Sequence, residues 1–150
     1  MNIQRVKQGA RICYANGLYM MLLGLFLIFF DNMNMKINFI EINELWGFFS
    51  KFNPEIATIL ILLQTLVGGL LFSSGIITIY LSDYIIKRKE KITWIMLFCF
   101  GIINWVGLLI TSILLGNSIL ITATFIGWAS FCLGMLLPIN YYLQKSYRDY

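Results

Sequence analysis

The sequence predicts an all-α integral membrane protein, folded as a four-helix transmembrane bundle. Of its 150 residues 59% are hydrophobic and 12% are charged, whereas a soluble domain has about 25% charged residues. The charged residues also bracket three long uncharged runs, at 12–30, 56–82 and 92–144. Because a charge near the centre of a bilayer costs about 2.5–3.5 kcal/mol on insertion scales, such runs are typical of membrane-spanning segments.

The uncharged runs give the predicted helices in chain order. One crossing needs about 20 residues, so each of the first two runs predicts one helix. The last run has 53 residues and is interrupted only at Gly116-Asn117-Ser118, which predicts two helices joined by a tight turn. The predicted helices are about 12–30, 56–81, 92–115 and 119–142. We expect a single transmembrane domain over 1–150, with one long outer loop at 31–54.

The basic residues predict the orientation. Nine of the eleven Lys and Arg residues fall on one side of the predicted pair of hairpins. They are Arg5, Lys7, Arg11, Lys87, Arg88, Lys89, Lys91, Lys145 and Arg148. Since basic residues accumulate on the cytoplasmic side, both termini should be cytoplasmic. The net charge of +4 thus indicates topology, and we expect the lipid bilayer, and no nucleic acid, as a partner. We expect the protein to lie in the cell membrane and its chain to cross that membrane several times.

The outer loop changes its pattern along its length. Residues 33–39 alternate between apolar and polar, which predicts an extended segment. A helical spacing of apolar residues follows, at Ile42, Leu45, Trp46, Phe49 and Phe52. This spacing predicts a short amphipathic helix in the outer interface, anchored by Trp46. Trp46, Phe49 and Phe52 would then form either a connector resting on the membrane or a lid over the outer face.

Each predicted helix has one side of small or polar residues. These stripes are Cys13, Gly17 and Gly24 in the first helix; Gln64, Gly68, Gly75, Thr78 and Ser82 in the second; Thr93, Gly101, Asn104, Gly107 and Thr111 in the third; and Ala123, Gly127, Ser130, Gly134 and Pro138 in the fourth. Membrane helices pack through small residues because these permit close approach. We therefore predict helix packing at Gly68, Gly75, Gly127, Ser130 and Gly134.

Four larger side chains are candidates for a binding site or pore. Gln64 and Asn104 each place an amide inside a helix, where it must find a partner. The two amides could bond to each other, line a polar path together with Thr111, or bind a lipid or a small polar ligand. Trp105 and Trp128 lie deeper than an interfacial aromatic belt, which favours core packing or a hydrophobic ligand pocket.

The residue types present argue against catalysis and metal binding. The chain contains no histidine, and its three cysteines are far apart in sequence, so no metal site or cofactor is predicted. No charged residue lies deep in a predicted helix, although ion-coupled transporters usually need one. The sequence therefore favours a non-enzymatic protein.

Three functions agree with this pattern. The leading hypothesis is a membrane protein that self-associates or serves as a subunit of a larger membrane complex, because four stripes exceed what one small bundle needs. The second is a small pore or facilitator lined by Gln64 and Asn104. The third is a protein that binds a lipid or another hydrophobic ligand through Trp105, Trp128 and the outer helix.

Overall fold

The predicted four-helix membrane fold is confirmed. A computed structural model describes residues 2–30, 46–116 and 118–148, and every regular element in these ranges is a helix. The helices are α1 (Asn2–Phe29), α2 (Trp46–Phe52), α3 (Pro54–Arg88), α4 (Lys91–Leu115), α5 (Ser118–Leu136) and α6 (Ile139–Arg148). Of these, α1, α3, α4 and α5 are each long and apolar enough to cross a membrane.

The four membrane helices form a closed bundle in which each packs against two neighbours. α1 packs most extensively against α3 and also against α5, while α4 packs against both α5 and α3. The short α6 also contacts α1, so the two ends of the described chain meet at one end of the bundle. The turn between α3 and α4 lies at this same end. We expect this end to be cytoplasmic, because Arg5, Lys7 and Arg11 lie exposed on it.

Two helices are longer than the uncharged runs from which they were predicted. α1 begins at Asn2 rather than at residue 12, and α3 continues to Arg88 rather than ending at residue 81. The physical reason is that a charge marks the edge of the hydrocarbon, whereas a helix can continue into water with its backbone bonds intact. α3 ends only where Lys89 adopts a positive φ of 52° and donates its N–H to the carbonyl of Ile85.

The last predicted helix, 119–142, is two helices in the structure. α5 ends at Leu136 and α6 begins at Ile139, with Pro138 between them. Proline lacks an N–H, and its ring clashes with the carbonyl four residues earlier, here that of Gly134. Gly9 of α1 packs against both this carbonyl and the ring of Pro138. The break is therefore packed against α1.

Tyr142 attaches α6 to the bundle. Its ring stacks on Trp94 with centroids 5.1 Å apart, and its side chain is 1% exposed. Burial raises the pKa of Tyr142 to about 12, so the phenol is neutral at physiological pH. Its hydroxyl is buried and has no hydrogen-bond partner in the described part of the chain.

Removing this hydroxyl should not destabilise the protein. Tyr142→Phe keeps the stacked ring and removes a buried unpaired polar group, so we expect unfolding to cost up to about 1 kcal/mol more than in the wild type. Tyr142→Ala removes the ring and should cost about 3 kcal/mol of stability. Thermal unfolding in detergent measures both changes. A lower melting temperature for Tyr142→Phe would mean that the hydroxyl is bonded, for example to water.

The outer helix α2 covers the second half of the predicted amphipathic segment. Residues 31–45, which include the predicted extended segment and the start of that helix, lie outside the described residues. α2 contacts α3, and Trp46 is 7% exposed with its ring stacked on Phe49 at 5.9 Å. Phe52 is exposed and lies against Phe48, with ring centroids 4.2 Å apart. The role of α2 as a connector or a lid stays a prediction.

Candidate functional site

Glycines bring α1 and α3 into backbone contact. A methyl group on Gly24 would lie 2.6 Å from the carbonyl oxygen of Gly68 and 2.6 Å from the amide nitrogen of Phe72. A methyl group on Gly75 would lie 2.7 Å from the carbonyl oxygen of Gly17. Side chains at these positions would have to push the two helices apart. The two glycines of the α3 stripe, Gly68 and Gly75, therefore pack against α1 of the same molecule.

The α5 stripe also faces inward. Gly127 lies against the six-membered ring of Trp105, which a methyl group at position 127 would overlap. Gly134 lies against α1, where a methyl group would be 2.7 Å from the sulfur of Cys13 and 3.0 Å from the carbonyl of Gly9. The small residues of α5 therefore make room for α1 and for one large side chain of α4.

A buried amide joins three helices at the centre of the bundle. The Nδ2 of Asn16 donates to the carbonyl of Gly127 at 2.7 Å and to the hydroxyl of Ser130 at 2.8 Å. Its Oδ1 accepts a hydrogen bond from Nε1 of Trp105 at 2.9 Å. Ser130 in turn donates to the carbonyl of Gly127 at 2.9 Å. We call Asn16, Trp105, Gly127 and Ser130 the central network.

Tyr19 closes the central network on its outer side. Its ring stacks on Trp105 with centroids 6.1 Å apart, and its hydroxyl donates to the carbonyl of Ala123 at 3.0 Å. Trp105 is fully buried, with Tyr19 and Gly127 against its indole. Amides, hydroxyls and an indole do not ionise near neutral pH. The central network can therefore hold helices in register, but it offers no acid or base.

The structure does not bring Gln64 and Asn104 together. Nε2 of Gln64 donates to the carbonyl of Leu27 at 3.3 Å, and its Oε1 is buried without a partner in the described part of the chain. Asn104 donates to the carbonyl of Phe100 at 2.8 Å and accepts from the hydroxyl of Ser74 at 3.2 Å. Gln64 and Ser74 are ten residues apart in α3, which is about 15 Å along the axis. The two amides therefore neither pair nor line one short path.

The remaining candidates are also separated from one another. Thr111 is exposed on α4 and donates to the carbonyl of Gly107 at 2.9 Å. Trp128 is half-buried and lies against Phe125 with ring centroids 5.9 Å apart. Neither residue joins the central network.

A shallow groove of about 450 Å³ lies between α1 and α5. Its lining residues are Tyr19, Ser118, Ile119, Thr122, Ala123 and Ile126. Neither Trp105 nor Trp128 lines it, so it is not the pocket that these tryptophans predicted. No three His, Cys, Asp or Glu side chains lie together as metal ligands in the ranges that the structure describes.

Asn16 and Tyr19 were not among the site residues predicted from the sequence. A signal was present, because Asn16 follows Cys13 by three residues and directly precedes Gly17, and helical spacing places it beside the stripe of the first helix. An amide in a membrane helix needs a partner wherever it lies. The reasoning that singled out Gln64 and Asn104 therefore applies equally to Asn16.

Comparison with known proteins gives no relative for this chain. No protein-family model matches it, and neither curated proteins nor solved structures give a match. A functional interpretation therefore rests on the geometry of the bundle.

Proposed function

We propose that the protein is a non-enzymatic, multi-pass membrane protein that self-associates through the lipid-facing side of α3. The observation that supports this proposal is a row of three small residues at a spacing of four, Thr65, Gly69 and Ser73. Spacing of four residues places them on one face of the helix. We call Thr65, Gly69 and Ser73 the outer row.

Gly69 is the central residue of the outer row. Glycine in the middle of a helix costs about 1 kcal/mol relative to alanine, so it usually has a packing reason. Gly68 and Gly75 have one, since they contact α1, whereas a methyl group on Gly69 would meet nothing within 4 Å. A helix from another molecule that packs on Gly69 would give this glycine a packing role, because small residues at a spacing of four permit close helix approach.

The outer row is also compatible with exposure to lipid before association. The hydroxyl of Thr65 donates to the carbonyl of Ile61 at 2.9 Å, and that of Ser73 donates to the carbonyl of Leu70 at 2.9 Å. Both hydroxyls therefore bond within their own helix and need no partner in hydrocarbon. The outer row presents only small side chains to the lipid. A helix of a second copy can pack on it or, if the protein is a subunit of a larger complex, a helix of another protein.

The other two functions have less support from the described residues. A pore lined by Gln64 and Asn104 would need them to share one path, but they contact different helices at different depths. The centre of the bundle is filled by fully or almost fully buried side chains, among them Met20, Leu97, Trp105 and Phe131. A ligand pocket built around Trp105 would need space beside its indole, which Tyr19 and Gly127 occupy.

Gly69→Leu tests the proposal. A leucine in the middle of the outer row would keep a second helix away, so we expect self-association in liposomes to weaken by about tenfold or more, equivalent to about 1.4 kcal/mol. Energy transfer between donor- and acceptor-labelled copies, measured over a series of protein-to-lipid ratios, gives the association constant.

Gly107→Leu is the matched control. Gly107 is also helical, and a methyl group on it would likewise meet nothing within 4 Å. It is not the centre of a row of small residues, because the residue four positions before it is Ile103. We expect this variant to associate like the wild type. Wild-type copies that stay monomeric at every ratio, or an equal loss in both variants, would contradict association through the outer row.

A further inference from the structure

The contacts of α1 and α3 define an outward face of this helix pair. In α1, Gly17 points to α3 and Asn16 points to α5. At about 100° per residue, Lys7, Arg11 and Tyr14 fall on the opposite side of Gly17 from Asn16. These residues therefore face away from α5.

The same reasoning applies to α3. Gly75 points to α1, and Ser74 points to α4 through its hydrogen bond to Asn104. Helical spacing places Tyr80, Asp83 and Lys87 on the opposite side of Gly75 from Ser74. Since α4 and α5 lie on one side of the α1–α3 pair, both sets of residues lie on its other side.

The glycine contacts also set the relative depth of these residues. Gly17 lies against Gly75, and Gly24 lies against Gly68, so the helices are antiparallel in a fixed register. Extending this register places Arg11 level with Leu81. Lys7, Tyr14, Tyr80, Asp83 and Lys87 all fall within about two helical turns of that level. We call Lys7, Arg11, Tyr14 and Tyr80 the collar.

The charges of the collar are not neutralised by acidic residues in the described part of the chain. Lys87 forms an ion pair with Asp83 at 2.6 Å. Lys7 and Arg11 are exposed, and neither forms an ion pair with any acidic residue that the structure describes. Tyr14 is 39% and Tyr80 is 67% exposed. Helical spacing places both on the same outward face as these two cations, at the end of the bundle expected to be cytoplasmic.

We propose that the collar binds the headgroup of an anionic phospholipid from the cytoplasmic leaflet. The Arg11 guanidinium can donate two parallel hydrogen bonds to a phosphate, and Lys7 adds a second positive charge. Tyrosine rings favour the headgroup level of a bilayer, where their hydroxyls can donate to phosphate and glycerol oxygens. The collar combines these groups on one face, within about 10 Å of depth.

This proposal does not depend on self-association. Gly69 lies twelve residues before Leu81 in α3, so the outer row is about 18 Å deeper than the collar. The two proposals also have separate readouts, because lipid binding is measured as the affinity of the protein for added lipid and self-association as energy transfer between labelled copies. Failure of either proposal leaves the other intact.

Native mass spectrometry of the purified protein with added lipid tests the proposal. We expect phosphatidylglycerol to bind more tightly than phosphatidylcholine. Since each collar cation would contact the bound phosphate directly, we expect each to contribute about fivefold to binding, so the double variant Lys7→Gln/Arg11→Gln should lose about tenfold or more of its phosphatidylglycerol affinity. The single variant Arg11→Gln should lose about fivefold.

The double variant Lys89→Gln/Lys91→Gln is the matched control. It removes the same charge from the α3–α4 turn, outside the collar, and should lose less than about threefold. Circular dichroism checks that all variants remain helical, which we expect because the substituted collar residues are exposed. Equal losses in both double variants would show attraction to net charge alone and would overturn the proposal. A wild type without preference for phosphatidylglycerol would overturn it as well.

Discussion

Gly24→Leu should separate α1 from α3 and destabilise the protein by more than about 3 kcal/mol, at the upper end of the cost of overpacking. Already the first atom of the new side chain would lie 2.6 Å from backbone atoms of Gly68 and Phe72. A flexible side chain can turn away from such a clash, but a helix backbone cannot. The two helices would have to move apart along their whole contact, which is the most extensive in the bundle. Steric trapping in bicelles measures the free energy of unfolding.

Gly69→Leu provides the control for this experiment. Gly69 lies one residue after Gly68 in α3, but it has open space around it. Its replacement should therefore not lower the free energy of unfolding, and the higher helix propensity of leucine should raise it by up to about 1 kcal/mol. The same substitution should weaken association through the outer row. If Gly24→Leu were as stable as Gly69→Leu, the close contact between α1 and α3 would be wrong.

The charge pattern sufficed to predict the number of spans, because the bilayer imposes that pattern directly. The exact ends of the helices did not follow from it. Arg5, Lys7 and Arg11 are compatible with either a helix or a loop in water. The sequence before residue 12 therefore does not show where α1 begins. Proline at position 138 disfavours a continuous helix, but the sequence alone does not distinguish a kink from an end of the helix. In the structure the helix ends before Pro138, and Gly9 packs against the proline ring.

The contacts of the candidate residues could not be predicted from the sequence for a different reason. Helical spacing assigned Gln64 and Asn104 to the small or polar sides of their helices, but it says nothing of the relative depth of two helices. That depth decides that Asn104 meets Ser74, and that Gln64 meets the carbonyl of Leu27. The glycine contacts between α1 and α3 fix the register of these two helices and with it the partner of Gln64. The sequence contains several glycine pairs that would permit other registers.

Asn16→Leu should be the most costly replacement of a polar residue in the bundle. It removes three hydrogen bonds of the central network, each contributing about 0.6 kcal/mol on average between membrane helices. It also leaves the indole N–H of Trp105 buried without an acceptor, which costs about 1–3 kcal/mol. We expect a total loss of about 3–5 kcal/mol in the free energy of unfolding. Gln8→Leu is the matched control, since Gln8 is an exposed amide on the same helix, and it should change stability by less than about 0.5 kcal/mol.

A double-mutant cycle with Trp105→Phe separates the two costs. Phenylalanine has no N–H, so Asn16→Leu made in that background no longer leaves an unpaired donor on residue 105. The second substitution should then cost at least about 1 kcal/mol less than it costs in the wild type. Additive losses would show that Asn16 and Trp105 act independently, against the 2.9 Å bond between them. A coupled result would mean that one amide of α1 sets the position of the tryptophan of α4. Because Gly127 of α5 must be small to admit that tryptophan, the same bond would then also hold α5 in register with α1.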